Sequence, residues 1–149
     1  LTYQILTKRP ERIAGHLPPD WDAGWPHVWL GVSAENQEYA EKRIPLLLLT
    51  PAALRFVSVE PLLGPVNLYD CFVSITTDTC RAPDWVIVGG ESGPNARPMD
   101  LWWLTSIVEQ CQGITLPVFV KQDSGFKPGR QGRIPDEYWV REFPVEVQR

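Results

Sequence analysis

Two carboxylates, Glu60 and Glu91, each stand just beyond a short apolar run, Glu60 ahead of Pro61 and Glu91 behind Gly89-Gly90. If both point into one mouth they repel each other. At least one should then hold its proton above the usual carboxylate range, which is how a site obtains a proton carrier or a cation-binding pair. The other reading is that each accepts from loop amides or pairs with Lys8, Arg9 or Lys121. Gly89 and Gly90 remove side chains where backbone amides could approach a ligand, and Glu91 and Ser92 could then contact its polar groups. A tight turn explains the same glycines without a ligand. Lys8-Arg9 and Lys121-Gln122 bring donors for a carboxylate or phosphate. Ser33, Glu35 and Asn36 add further polar groups, with Ser33 also suited to cap a helix starting near Glu35. Glu60, Glu91 and Lys121 are therefore the candidates for catalysis, and the other nine residues are candidates for binding. His16 and His27 lie elsewhere, in a loop rich in Pro, Gly and Trp, so no Ser/His/Asp or Cys/His arrangement is in view.

What could gather these residues is a repeated element. Five apolar runs, Tyr3–Leu6, Val28–Val32, Leu54–Val57, Trp85–Val88 and Val118–Val120, each stop at polar residues and lead into helix-like sequence. Their ends at Thr7, Ser33, Ser58, Gly89 and Lys121 are 26, 25, 31 and 32 residues apart. That is close to the roughly 30 residues of a strand, crossover helix and return. Parallel pairing with right-handed crossovers follows. Runs without internal polar residues suit strands buried on both faces. Strand carboxyl ends are where such sheets build sites. The expected fold is α/β, a partial TIM-type (β/α) barrel with about five parallel strands. It forms one domain over 1–149, with a rim insertion at 64–84 and a loose tail after Phe143.

The connections carry signals of their own. Pro10 suits the first turn of a helix after Arg9. A helix from about Asn36 towards Arg43 should be interrupted or restarted at Pro45, before Leu46–Leu49. Another spans Leu101–Gln112, with Asp100 as N-cap and Gly113 as terminator. In it Leu101, Leu104, Val108 and Cys111 form one buried stripe, with Trp102 and Trp103 as core and rim packing.

Bulk properties narrow the function. The 149 residues, 44% hydrophobic, can bury a single core, and the net charge of −4 opposes a sequence-independent grip on nucleic acid. A basic face of Lys121, Lys127, Arg130 and Arg133 is the one route to such binding. No membrane span or signal peptide is visible, so a cytoplasmic location is expected. Cys71, Cys80 and Cys111 match no zinc pattern, and Cys71 and Cys80 bracket a loop that a disulfide could close. No metal site is expected.

Leu6–Arg12, Trp29–Ser33, Arg55–Gly64 and Asp84–Gly93 with Arg97-Pro98-Met99, in this order, resemble the phage and prophage family named for gene products thirty-seven and sixty-eight. The resemblance covers about Tyr3 to Gln122. Asp123, Ser124 and Gly125 depart from the family's last block. The resemblance implies a barrel related to the radical S-adenosylmethionine enzymes, whose three-cysteine cluster lies upstream of everything here. It makes this chain the distal, substrate-orienting part of such a protein, with Glu60, Glu91, Lys121 and the Ser33–Asn36 turn around S-adenosylmethionine or substrate. The iron–sulfur cluster and S-adenosylmethionine would belong to the whole protein, and this chain alone would be inactive. Missing strands would precede Leu1, so the expected partners are the amino-terminal part of the barrel or a homodimer mate, and a small-molecule substrate. The rival expectation is a cluster-free interaction module, a phage accessory protein that uses the barrel rim or the open sheet edge.

Overall fold

A computed structural model describes residues 1–76 and 79–144. Among the described residues, seven strands occur in chain order: β1 (Tyr3–Thr7), β2 (Val28–Ser33), β3 (Leu54–Val59), β4 (Val73–Ser74), β5 (Cys80–Arg81), β6 (Trp85–Gly89) and β7 (Val118–Gln122). The described residues hold two α-helices, α1 (Gln37–Leu49) and α2 (Leu101–Gly113). Five strands form one wholly parallel sheet in the order β1-β2-β3-β6-β7, while β4 and β5 pair as a small antiparallel hairpin within the expected rim insertion.

Each strand stands beside its predecessor in this sheet, so the chain winds in one direction. The two faces are accordingly unlike. On one, Val32, Val57, Val86, Val88, Val118 and Val120 pack with Ile44, Leu47 and Leu48 of α1 and Leu104, Ile107, Val108 and Cys111 of α2. On the other, Trp29, Leu54, Phe56 and Trp85 form a separate cluster that no helix covers, with Ile87 and Phe119 against it. Alternation along each strand assigns residues to the two faces. Gly31 lies on this second face, beside Phe56 in the register. A Cβ there would meet the Phe56 ring at 2.3 Å, so glycine is what lets the ring lie flat across β2.

Helices follow only β2 and β6. After β1, where a helix beginning at Pro10 is expected, the chain makes 3-10 turns at Pro10–Arg12 and Ala14–His16. Gly15 and the Pro18-Pro19 pair give no continuous helical stretch. After β3 comes the insertion with its hairpin and a 3-10 turn at Tyr69–Cys71. Pro45 does not interrupt α1, which runs through it to Leu49. Proline in a helix interior removes one hydrogen bond and disfavours the turn before it by about 3 kcal/mol. Burial of Ile44, Leu47 and Leu48 offsets that cost. In α2, Asp100 caps as expected, its carboxylate accepting from Trp102 N–H at 3.2 Å. Gly113 stays inside the helix, and Thr115 takes the left-handed conformation instead (φ 55°). Leu101 of the expected stripe is half-buried and Trp102 is exposed.

The two sheet edges also differ. Along β7, Val120 N–H donates to the Val140 carbonyl (2.8 Å) and Glu142 N–H to the Val118 carbonyl (2.9 Å). Arg141 thus bridges Phe119 in an antiparallel sense. Phe143 meets the Phe119 ring edge-on at 5.2 Å and lies tilted against Trp85 at 5.7 Å, and the Trp85 indole donates to the Glu142 carbonyl. The tail expected to be loose after Phe143 falls on 145–149, outside the described residues. β1, in contrast, pairs among the described residues with β2 alone, and Tyr3, Ile5 and Leu6 are exposed.

The disulfide considered for Cys71 and Cys80 does not form. Cys71 is buried in the helix-side core with its Sγ 3.7 Å from the Asn67 carbonyl, whereas Cys80 is exposed on the hairpin, and both are free.

Replacing Gly31 by Ala should lower unfolding free energy by about 1–3 kcal/mol, because the Phe56 ring must leave its place to admit a methyl group. Urea denaturation of G31A measures this, and an unchanged midpoint would show that the ring has room to move.

Candidate functional site

An acidic residue follows each of the last four strands of the sheet: Glu35, Glu60, Glu91 and Asp123. Each is tied to its own cation. The expected repulsion between Glu60 and Glu91 is therefore not what governs them.

Glu35, 7% exposed, is gripped from two sides, by Lys8 from the end of β1 and by Arg43 from α1 at 2.8 Å. Arg43 also donates to the Ser33 carbonyl at 2.9 Å and lies over the Tyr39 ring. Burial alone would raise the Glu35 pKa, but the bonds and charges of Lys8 and Arg43 outweigh it and hold it below 4.5. Helix α1 is capped by Asn36, whose Oδ1 accepts from Tyr39 N–H, and not by Ser33, which remains in β2 with its side chain buried. Lys8, Glu35, Asn36, Tyr39, Arg43 and Arg97 line a cleft of about 270 Å³. Arg9 points away, near Glu11, and lines an apolar groove beside β1.

Glu60, 16% exposed, accepts from Lys121 Nζ through both oxygens at 3.0 Å and from Gln122 Nε2 at 3.1 Å. The register explains how two adjacent residues reach one carboxylate. Val88 pairs with Val120 and Gly89 with Gln122, so Lys121 is an extra residue, a bulge of the kind that re-aims a side chain at a strand end. Gln122 is 1% exposed and fully engaged. It donates to Glu60 and to the Gly90 carbonyl (2.8 Å) and accepts from Gly129 N–H (2.9 Å).

Glu91 receives a bidentate guanidinium from Arg97, both bonds at 2.8 Å, and the Arg97 N–H as well. These hydrogen bonds pull its pKa from 4.5 to about 2. Of the two carboxyls, at least one of which was expected to be raised, Glu91 is therefore lowered instead. The glycines before it serve chain packing: a Cβ on Gly90 would lie 2.4 Å from Ser124 N and Oγ. Ser92 continues the ladder with Gly125.

Asp123, 3% exposed, closes the series. It accepts from the N–H groups of Ser124 and Arg133 and from the Arg133 guanidinium at 2.7 and 2.9 Å. Burial opposes its charge, yet these bonds keep its pKa under 3.8. Lys121 and Arg133, half of the basic face considered for nucleic acid, are thus neutralised.

Sequence reading did not find Arg43, Arg97 or Arg133 as site residues. The available signal was the acid recurring one or two residues past each strand, which requires a cation for every buried carboxylate. Among the described residues no group of His, Cys, Asp or Glu is arranged to hold a metal. Burial pushes the thiols of Cys71 and Cys111 up to about 11 and 12, which disfavours the thiolates an iron–sulfur cluster needs. The cysteines of the described chain do not fit such a cluster. No helix among the described residues is long and apolar enough to cross a membrane.

Fold and site together define a parallel α/β protein with ion-pair networks at its strand carboxyl ends. The chain belongs to the family described as "Protein of unknown function (DUF5131)", whose pattern matches residues 1–144. No curated protein and no solved structure matches it.

Three of the strand-end carboxylates, Glu35, Glu91 and Asp123, have pKa values below their ordinary ones, so the folded state binds fewer protons than the unfolded chain. Their stabilisation is present above about pH 4.5 and should fade as pH falls towards 2. Thermal unfolding from pH 6 to 2.5 should show a steep loss of Tm below pH 4.5 that is shallower in Asp123→Asn. A parallel slope in that variant would remove Asp123 from the account.

Proposed function

We propose that this chain is the ligand-orienting part of a partial (β/α) barrel of the radical S-adenosylmethionine type. The observation that supports it is the one-way strand order with both helices on one face. In a closing barrel that face is the outside. The helix-free face is then the interior, and Ser33, Ser58, Glu60 and Lys121 stand at or near its carboxyl end. The likeness to the phage and prophage family is the source of the chemistry class. Because the described cysteines do not fit an iron–sulfur cluster, that group would be held by other residues of the protein. What this chain contributes is positioning. Glu60, fixed by Gln122, presents Lys121 at the mouth, and the Glu35 network holds the first loop in place.

Lys121 is the half-exposed member of its pair and is free to exchange Glu60 for the carboxylate of a ligand. In the protein as its gene encodes it, purified anaerobically, S-adenosylmethionine should bind, and Lys121→Ala should weaken binding about tenfold with little change in Tm. Absence of binding by the folded parent protein, or equal binding by the variant, would sink this reading.

A second reading, an interaction module, has its own support. The side chains of β1 and its lead-in, Leu1–Thr7, carry no charge, and this edge has neither proline nor bulge to discourage strand addition. It predicts a concentration-dependent dimer of the chain in light scattering that Ile5→Lys abolishes. A strict monomer at high concentration counts against it.

A further inference from the structure

We propose that the loop 124–133, which follows β7, binds a nucleoside monophosphate, with the phosphate on Lys127 and Arg130 and the base laid on Phe126. Its cavity shares no lining residue with the cleft at Glu35, and the proposal does not depend on the radical-enzyme reading.

The argument starts from which residues the loop needs for its own shape. Its two ends are tied to one carboxylate, since Asp123 accepts from Ser124 N–H at one end and from Arg133 N–H and guanidinium at the other. Arg133 also donates to the Met99 carbonyl, which fastens this end to the lead-in of α2. The middle is held by Gln122, whose side-chain oxygen accepts from Gly129 N–H. Ser124 Oγ accepts from Met99 N–H, and Gly125 N–H donates to the Glu91 carbonyl. Gly132 completes the turn in the left-handed region (φ 57°), where a Cβ would strike Asp123 at 2.6 Å.

The Arg130 carbonyl accepts from Asp123 N–H at 2.8 Å, but the side chains of Phe126, Lys127 and Arg130 take no part in this frame. Phe126 is 71% exposed, in a chain whose other aromatic rings largely pack against one another. Leaving so large a ring in water forgoes about 2 kcal/mol of burial. Among the described residues, Lys127 and Arg130 have no carboxylate within ion-pair distance, whereas the cations beside Glu35, Glu60, Glu91 and Asp123 are all engaged. The three side chains line one cavity of about 290 Å³ together with Ser124, Gly125, Gly132 and Asp123, whose charge is met by Arg133.

An exposed ring beside two uncommitted cations on a rigid frame suits a flat π system that carries an anion. Stacking on an aromatic side chain contributes about 1–3 kcal/mol per base. Arginine's planar fork grips phosphate through two parallel bonds, and lysine adds a point charge. Size and charge select the ligand. The cavity is at the small end for ligand clefts. Two free cations can neutralise one phosphate, whereas a nucleic-acid strand needs several, and the net charge of −4 opposes it further. The same two cations repel a sulfonium, so S-adenosylmethionine would not be drawn here.

The experiment is a titration of the chain with adenosine 5′-monophosphate at low ionic strength, followed by backbone amide NMR. Shifts should concentrate on residues 123–133. The double variant Lys127→Ala/Arg130→Ala should weaken binding about tenfold or more, Phe126→Ala several-fold, and adenosine without its phosphate should bind at least about tenfold less well. All three side chains are exposed and outside the frame, so the variants should keep the parent spectrum elsewhere. Shifts centred on other loops, or variants that bind like the parent, would overturn the proposal. So would an oligonucleotide that binds with a salt slope of several phosphates while the mononucleotide does not, since that would make the loop a nucleic-acid surface.

Discussion

The side-chain amide of Gln122 is the interaction on which the strand-end face depends. It is buried, so its donors and its oxygen must all find partners within the protein. It finds them in three different loops, at Glu60 after β3, at the Gly90 carbonyl after β6 and at Gly129 in the loop after β7. A single planar group therefore sets the relative positions of segments about 30 and 60 residues apart in sequence. Its place follows from the bulge at Lys121, which makes Gln122 rather than Lys121 the partner of Gly89. The bulge also separates roles. Gln122 turns inward to hold the loops, and Lys121 stays half exposed with only Glu60 as its side-chain partner.

Much of the sheet was legible in the sequence, for a physical reason. A parallel strand covered on both faces admits no polar residue in its middle, so Val86-Ile87-Val88 or Val118-Phe119-Val120 can be read without any knowledge of neighbours. The connections were less legible because tertiary burial overrides local preference. Pro45 is a helix breaker in isolation, yet it sits mid-helix because the residues around it lose more by leaving the core. The first connection has a helix-starting proline, but the Gly15 to Pro19 stretch gives nothing to propagate.

The site shows the same division. The acids at the strand ends and the Lys121-Gln122 pair were visible from position alone. Their partners were not, because a cation eight, six or ten residues away, as with Arg43, Arg97 and Arg133, can reach a given carboxylate only once the loop's path is fixed. The expectation that at least one of Glu60 and Glu91 would hold a raised carboxyl is not met at Glu91: a nearby guanidinium reverses the sign that a second carboxylate would have imposed. Asp123, which departs from the family likeness, turns out to anchor the last loop.

The antiparallel strap at Val140–Glu142 gives the sheet a direction of growth. With β7 already paired on its outer side, β1 is, among the described residues, the edge of this sheet left to accept another strand. A sheet with two free and complementary edges can add copies head to tail without end, as fibres do. A sheet with one cannot, because the first pairing consumes the only vacancy. Among the described residues the strap thus leaves β1 as the edge open to pairing, so two copies of this sheet would meet β1 to β1 and not head to tail.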